Sequence, residues 1–394
     1  MPQCALREAG GEDDILAAPW WRNIPVGFRR RVLEALLPLA APGSSPAAAP
    51  PEHPGAIFVL RNNDIGDLLV ITPLFEALKR RFPHAAITAG IGDWNRTVLA
   101  HNPWVSHIAS VNAPWQNKFI GHSNTGALRY IYTSPEVAAL RAARFDIGID
   151  VLGSQWGALL MYRAGIPYRM GVRGYAGGHS LASATVPFCA DEHVGRTALR
   201  FAELLGTTEL PDVRPQLFLT EDERRAAEAR WSSPAGVRRI VIAASGGLPG
   251  KAWPIESHRA LVAAITQLPD VTVAALGGPH DRADGAALAA AGARDWTGQL
   301  DLRATFACIA QSDFVLTAPS MSMHVAAAFR IPSVVLLGPA FPSAEAHARQ
   351  WGYPGDWCNL GRDATHTAVW TIDEALGVVL PKLRALASPR GTTP

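Results

Sequence analysis

From Ala56 onward, short continuous apolar runs alternate with stretches whose apolar residues recur at helical spacing. Ile57 to Leu60 reads as a strand, Thr72 to Phe82 as a helix, Ala86 to Gly90 as a strand, Glu136 to Arg144 as a helix and Asp146 to Val151 as a strand. The pattern resumes near Arg239. Strands are expected over Arg239 to Ala243, Val271 to Leu276, Phe314 to Thr317 and Ser333 to Leu337, interleaved with helices over Pro254 to Leu268, Leu302 to Ala310 and Met321 to Phe329. A helix over Ile372 to Leu386 closes the series. Strands that alternate with helices imply parallel sheets, so each half is an α/β unit. Pro211 to Glu223, an extended piece entering a charged helix, joins the halves, and Asn112 to Arg129 has no clear period and reads as a long loop.

Ahead of the first strand the character differs. Ala40 to Gly55 is rich in Ala, Pro, Gly and Ser and reads as a linker. Before it, Val32, Leu33, Leu36 and Leu37 share one helical face behind Arg29, Arg30 and Arg31, with Trp20, Trp21 and Arg22 upstream. Such an amphipathic helix either docks on the protein body or a second subunit, or lies among membrane headgroups. The expected organisation is an extension over 1–55, one domain over 56–212 and another over 213–394.

Composition narrows the class. With 394 residues and 48% hydrophobic positions the chain can bury two cores, and 36 Lys+Arg against 34 Asp+Glu argue against a nucleic-acid-coating protein. The most apolar stretch, Val325 to Phe341, is broken by Arg330, Pro332 and Gly338 short of the ~20 residues that span a bilayer. Glu8, Glu12, Asp13 and Asp14 precede any useful apolar run, so no secretory signal is read and a cytoplasmic location is expected. Cys4, Cys189, Cys308 and Cys358 lie far apart with no CxxC, and no His/Cys/Asp/Glu cluster has metal-ligand spacing; no metal or cofactor is expected.

Three loops carry candidate chemistry. Arg61-Asn62-Asn63-Asp64-Ile65-Gly66-Asp67 follows a buried strand, where open parallel sheets bind ligands. Asp67 either caps a helix or works in the cleft, at the first helical residue or one turn before a Thr72 cap with Pro73 behind it. Ala244-Ser245-Gly246-Gly247-Leu248-Pro249-Gly250-Lys251-Ala252-Trp253-Pro254 fails as a P-loop, because Ser245 stands at its first glycine and Ala252 at its Ser/Thr position. Lys251 still offers a point charge before a helix start, as an anion site or as a solvated lysine. In Thr317-Ala318-Pro319-Ser320-Met321-Ser322-Met323-His324, Ser320 suits a cap, and the amides of Met321 and Ser322 could hold a phosphate. His324 reads as a satisfied polar residue or a ligand. The first strand-helix turn lacks the glycine fingerprint of a Rossmann oxidoreductase.

Taken in order, Ile65-Gly66-Asp67-Leu68-Leu69 with Thr72-Pro73, Lys251-Ala252-Trp253-Pro254, Gly277-Gly278-Pro279, Met323-His324-Val325-Ala326-Ala327-Ala328 and Leu337-Gly338-Pro339 resemble glycosyltransferase family 9, the heptosyltransferases of lipopolysaccharide core assembly. Phe145-Asp146-Ile147-Gly148-Ile149-Asp150 resembles a middle strand of that family's first domain. The resemblance covers roughly Ile57 to Leu386. It implies a GT-B fold, two Rossmann-like domains facing across a cleft, here with an N-terminal helical extension. It also implies inverting, metal-independent transfer of a sugar, heptose from ADP-heptose, to a lipid-linked or glycan acceptor of the lipopolysaccharide core; separately, Trp20 to Leu39 is expected to help the enzyme sit on the inner face of the membrane. Carried over by position, Asp67 matches the general base, with Asn63, Asp64 and Gly66 on the acceptor side. Ser245, Gly246, Lys251, Gly278, Ser320, Met321, Ser322 and His324 fall on the side of the nucleotide-sugar donor. The family pattern D-[ST]-G-x-M-H is broken, since Pro319 replaces its acidic residue and Met321 its glycine. Another nucleotide-sugar and acceptor, or a catalytically silent sugar-nucleotide-binding protein, are the competing readings.

Overall fold

The computed structural model describes residues 32–386, apart from 33, 44, 118, 122, 247–249, 356 and 365. In the first half, β1 (Ala56–Leu60), α1 (Ile65–Val70), α2 (Thr72–Arg81), β2 (Ala86–Ile91), β3 (His107–Ser110), α3 (Asn124–Thr133), α4 (Pro135–Ala142), β4 (Ile147–Asp150), α5 (Gln155–Arg163), β5 (Tyr168–Arg173), β6 (Ala184–Pro187) and α6 (Val194–Leu204) follow in order. The second half comprises α7 (Glu221–Trp231), β7 (Arg238–Ala243), α8 (Ile255–Ile265), β8 (Val271–Ala275), α9 (Arg282–Ala289), β9 (Arg294–Asp295), α10 (Leu302–Ala310), β10 (Phe314–Thr317), α11 (Met321–Ala328), β11 (Ser333–Leu336), α12 (Ala344–Trp351), β12 (Trp357–Leu360) and α13 (Ile372–Ala385).

Each half carries one six-stranded sheet, ordered β3-β2-β1-β4-β5-β6 and β12-β11-β10-β7-β8-β9, with parallel pairings throughout. Renumbered within its half, the second order repeats the first. This is the doubly wound order in which crossovers from the first strand run one way and those from the fourth run the other. The central strands are apolar on both faces because helices cover both. In β1, Ile57 and Val59 join a core shared with α1, α2 and α6, while Phe58 and Leu60 face α3 and α5. Burying each such side chain contributes about 1.5–3 kcal/mol. The inner core is continuous across the halves, running from Ile57 and Leu68 to Val241, Phe306 and Val325.

Several expectations are corrected. The loop expected over Asn112 to Arg129 gives way at Asn124 to α3, whose start is fixed by Ser123 Oγ accepting from the Gly126 amide at 2.9 Å. Thr72 is not a cap: the α2 N-cap is Ile71, and Thr72 Oγ1 donates to Leu69 O at 2.7 Å and accepts from Gln216 N at 2.7 Å. That second bond ties α2 to the segment connecting the halves.

The described part of the extension docks on the first half. Leu37 and Ala41 enter its outer core, and Glu34 accepts from the amides of Gly178 and Ser180. The segment expected as a linker is pinned by Ala47 N donating to Pro167 O at 2.9 Å and Tyr162 Oη donating to Pro42 O at 3.0 Å. Leu36, expected on the same stripe as Leu37, is exposed. Trp20, Trp21, Arg22, Arg29 to Arg31 and Leu33 lie outside the described residues. Among the described residues no helix is long and apolar enough to cross a membrane.

Candidate active site

In a doubly wound sheet the crevice opens beyond the strand ends where the crossovers diverge, between β1 and β4 in the first half and between β7 and β10 in the second. The loops at Arg61 and Ser154 border the first crevice. Those at Ala244 and Ala318 border the second.

At the first crevice, Asp67 is the third residue of α1, and its carboxylate does not cap that helix. Arg61, buried at the end of β1, instead donates from Nη2 to Asp67 Oδ1 at 2.8 Å and from Nε to the Asp67 carbonyl at 3.2 Å. The Asp67 side chain keeps 28% of its surface exposed. Asn63 is buried, and its carbonyl accepts from Trp94 Nε1 at 3.1 Å and Asn95 Nδ2 at 2.7 Å. Its Nδ2 donates to Gln116 Oε1, while Oδ1 is left without a partner among the described residues. Asp64, the α1 N-cap, is exposed at the mouth.

At the second crevice, Ser320 Oγ caps α11 by accepting from the Ser322 amide at 3.4 Å, so the Ser322 N–H is engaged rather than free. Lys251 stands on a braced turn. Gly250 adopts φ +77°, the left-handed region, and the Gly250 and Lys251 carbonyls accept from the amides of Ala340 and Gly338, both at 2.9 Å. Any side chain at Gly338 would collide with the Ala252 carbonyl. Gly246 allows the same close approach, since a Cβ there would stand 3.2 Å from Lys251 Cβ. Among the described residues the Lys251 ammonium has no ion-pair partner; Ser245, six positions earlier and just past the end of β7, is half-buried. Gly278, on the exposed turn after β8, donates its amide to Asp281 Oδ2 at 2.7 Å.

The two crevices meet where α1 packs on α11. A Cβ at Gly66 would stand 3.1 Å from His324 Cδ2 and 3.7 Å from Met321 Cα, so the start of α1 rests on the start of α11. His324 is buried, with Nδ1 2.6 Å from the Tyr353 hydroxyl and its ring edge-on to Trp351 and Tyr353. Burial pushes it down to about 3, with the His193 and His347 charges acting the same way. It is thus a neutral packing residue at the contact, and its other ring nitrogen faces Gly66. Burial likewise holds His193 and His347 at about 4, and the Lys251 charge adds to the effect on His347.

Sequence reasoning quoted Arg61 but gave it no role; the signal was a charged residue directly behind an apolar strand. Tyr353 carried no local signal. Asp150, at the end of β4, was read only as part of a strand, yet it is buried with Oδ2 accepting from Ser154 N at 2.8 Å. Among the described residues, no three of His, Cys, Asp and Glu converge on a metal-sized site. An open cavity of about 460 Å³ between α12 and β12 is lined by Ala344, Tyr353, Trp357, Asn359 and neighbours, none of them in the three motif loops.

The sequence profile of glycosyltransferase family 9 (heptosyltransferase) matches residues 137–349. The chain is similar to lipopolysaccharide heptosyltransferase 2 of Salmonella typhimurium, 28% identical over 303 residues that cover 73% of this chain and 83% of the relative. It is also similar to lipooligosaccharide heptosyltransferase 2 of Haemophilus ducreyi, at 26% with 73% and 84% covered. Among solved structures, the fold matches ADP-heptose lipopolysaccharide heptosyltransferase II of Escherichia coli with a TM-score of 0.65, at 23% identity and covering 84% and 98% of the two chains. An Escherichia coli heptosyltransferase with ADP gives 0.63, at 16% identity with 83% and 99% covered. The architecture is therefore GT-B, as the resemblance implied. With the profile spanning more than half of it, this chain belongs to glycosyltransferase family 9 and is a glycosyltransferase.

Proposed function

We propose that the enzyme transfers a heptosyl group from ADP-heptose, with inversion, to a hydroxyl of a lipopolysaccharide-core acceptor, working at the inner face of the membrane. The first half receives the acceptor and the second the donor. One observation carries the reading: at the Gly66–His324 contact, a helix start bearing the partly exposed Asp67 carboxylate is set against the start of α11, with Lys251, which has no ion-pair partner among the described residues, on the same side of the second sheet. The printed activities of the relatives supply the donor and acceptor classes.

Asp67 takes the proton of the attacking hydroxyl, whose oxygen forms the new bond to the anomeric carbon. The bond from that carbon to the diphosphate oxygen breaks, and ADP leaves with the electron pair. Lys251 and the Met321 end of α11 meet the added negative charge. Asn63 Oδ1, a buried acceptor without a partner among the described residues, suits a second hydroxyl of the acceptor sugar. Ser245, after β7, and Gly278, after β8, complete the donor side in this reading.

The test is ADP release from ADP-heptose in the presence of lipopolysaccharide core truncated at its inner sugars. Turnover that needs both substrates and disappears in Asp67→Asn supports the reading; turnover with neither, but with another nucleotide-sugar, replaces the donor. Pro319 and Met321 favour that second reading, because the helix start that faces Gly66 lacks the family's carboxylate and carries a bulkier side chain than glycine.

A further inference from the structure

Arg61 is an expensive residue to bury. Only 5% of its side chain is exposed, and taking a guanidinium out of water costs several kcal/mol unless charges and hydrogen bonds offset it. A surface ion pair for stability alone needs no such burial. Asp67 pairs with it directly, and Asp150 acts on it through charge from the neighbouring strand. Asp67, on α1, is held through both its side chain and its backbone carbonyl, at 2.8 and 3.2 Å. Asp150, on β4, is the sheet partner of Leu60, the residue before Arg61. Its Oδ2 accepts from Ser154 N at 2.8 Å and Oγ at 3.3 Å, and its Oδ1 from Leu152 N at 3.2 Å. Gly157 lets α5 close over it, since a Cβ there would strike Oδ2. Burial pushes the Asp150 carboxyl upward, against the pull of the Ser154 and Gly153 amides and the Arg61 charge. The guanidinium is therefore bonded to an outer carboxylate that reaches the cleft, with a fixed inner carboxyl group on the neighbouring strand.

We propose that Arg61 is the positioning residue of the catalytic carboxylate: it locks Asp67 Oδ1 and the α1 backbone together, so that Oδ2 alone is presented to the acceptor hydroxyl. The proposal rests on Asp67 being the base. Holding a side-chain oxygen and a backbone carbonyl of one residue at once needs the planar fork of arginine, which a lysine ammonium supplies only in part. Because Arg61 acts through Asp67 and touches neither substrate, its loss changes turnover and leaves donor binding alone.

The experiment is a double-mutant cycle on Arg61→Met and Asp67→Asn, with Arg61→Lys alongside. It reads kcat for ADP release with ADP-heptose and truncated core, and the ADP-heptose Kd by calorimetry. Asp67→Asn is expected to lose about 100-fold or more in kcat. Arg61→Met should lose ~10- to 100-fold with Kd within about twofold, and Arg61→Lys should recover part of it. In the Asp67→Asn background, Arg61→Met should cost no more than about twofold further, because no base is left to position. An Arg61→Met loss that persists in full in that background, or one that appears in Kd instead, overturns the proposal while leaving the base reading intact. If Asp67→Asn keeps wild-type turnover, the base reading fails and the clamp fails with it. Should Arg61→Met not fold, Arg61→Lys in both backgrounds closes the same cycle.

Discussion

The two crevices share a topology and differ in how they are furnished. The first is prebuilt: buried Arg61 is paired with Asp67 before any substrate arrives, its charge acts on buried Asp150 on the neighbouring strand, and Asn63 is fixed by three hydrogen-bonded neighbours. The second is braced but unpaired, with Lys251 on a turn held by two backbone hydrogen bonds, a capped α11 and no counter-charge on the lysine among the described residues. Under the proposed chemistry the difference is physical. A base must be aimed before it is useful, whereas a diphosphate brings its own charge and completes a cationic site by binding to it.

The largest expected effect tests the prebuilt side. Asp67→Asn keeps the shape and removes proton acceptance, so kcat should fall about 10²- to 10⁴-fold while the ADP-heptose Kd stays near wild type. Wild-type turnover would erase the distinction between the crevices and leave Asp64 as the next carboxylate to examine.

Acid separates the halves in stability. Of the four histidines that burial holds at about 3 to 4, His258, His324 and His347 lie in the second half and His193 in the first. Their folded values sit below the unfolded value of 6.5, so the unfolded chain binds more protons between those limits. Stability is full above pH 6.5 and declines as pH falls toward 4. For fully buried His258 the limit is on the order of 3 kcal/mol. Melting between pH 7.5 and 4.5, with limited proteolysis at pH 5, should show a falling midpoint and earlier cleavage in the second half. A pH-independent midpoint, or first cleavage in the first half, breaks this part of the comparison.

Lys251→Ala probes the unpaired side. A charge-assisted contact contributes ~1.5–3 kcal/mol, so the ADP-heptose Kd should rise about tenfold or more and transfer should slow as well. Unchanged binding of every nucleotide-sugar tried would make Lys251 a solvated surface lysine after all.

What the sequence made legible follows from the same contrast. Central strands β1, β4, β7, β10 and β11 were readable because burial on both faces leaves continuous apolar runs such as Ile57 to Leu60. Among the other strands, β5 was hidden by Arg169, whose guanidinium is buried on the Ile166 and Leu181 carbonyls, and β9 is two residues long. The three loops were found because each follows a readable strand. The clamp was not, since the role of Arg61 depends on Asp150 lying one strand away, a pairing that only the sheet order creates. The Gly66–His324 contact likewise joins residues more than 250 positions apart through packing of the two halves.

The smallest effect concerns the start of α11, where the unpaired crevice departs most from its family. Pro319 supplies no carboxylate to receive hydroxyl or amino donors from a nucleotide, and Met321 occupies the first turn beside Gly66. Replacing both, Pro319→Asp with Met321→Gly, adds a charged acceptor worth ~1.5–3 kcal/mol when it is bonded. Against that gain, glycine in the first turn of an eight-residue helix costs up to about 1 kcal/mol relative to alanine, which lowers stability and reduces the preorganisation of the site. The net should be about tenfold tighter ADP-heptose binding by calorimetry, with a melting midpoint a few degrees lower. Tighter binding would mean that this crevice is unpaired partly because its carboxylate has been lost. Unchanged binding beside a tight wild-type Kd would mean that Lys251 and the Ser320 cap already satisfy the donor, and that the crevice needs no fixed acidic partner at all.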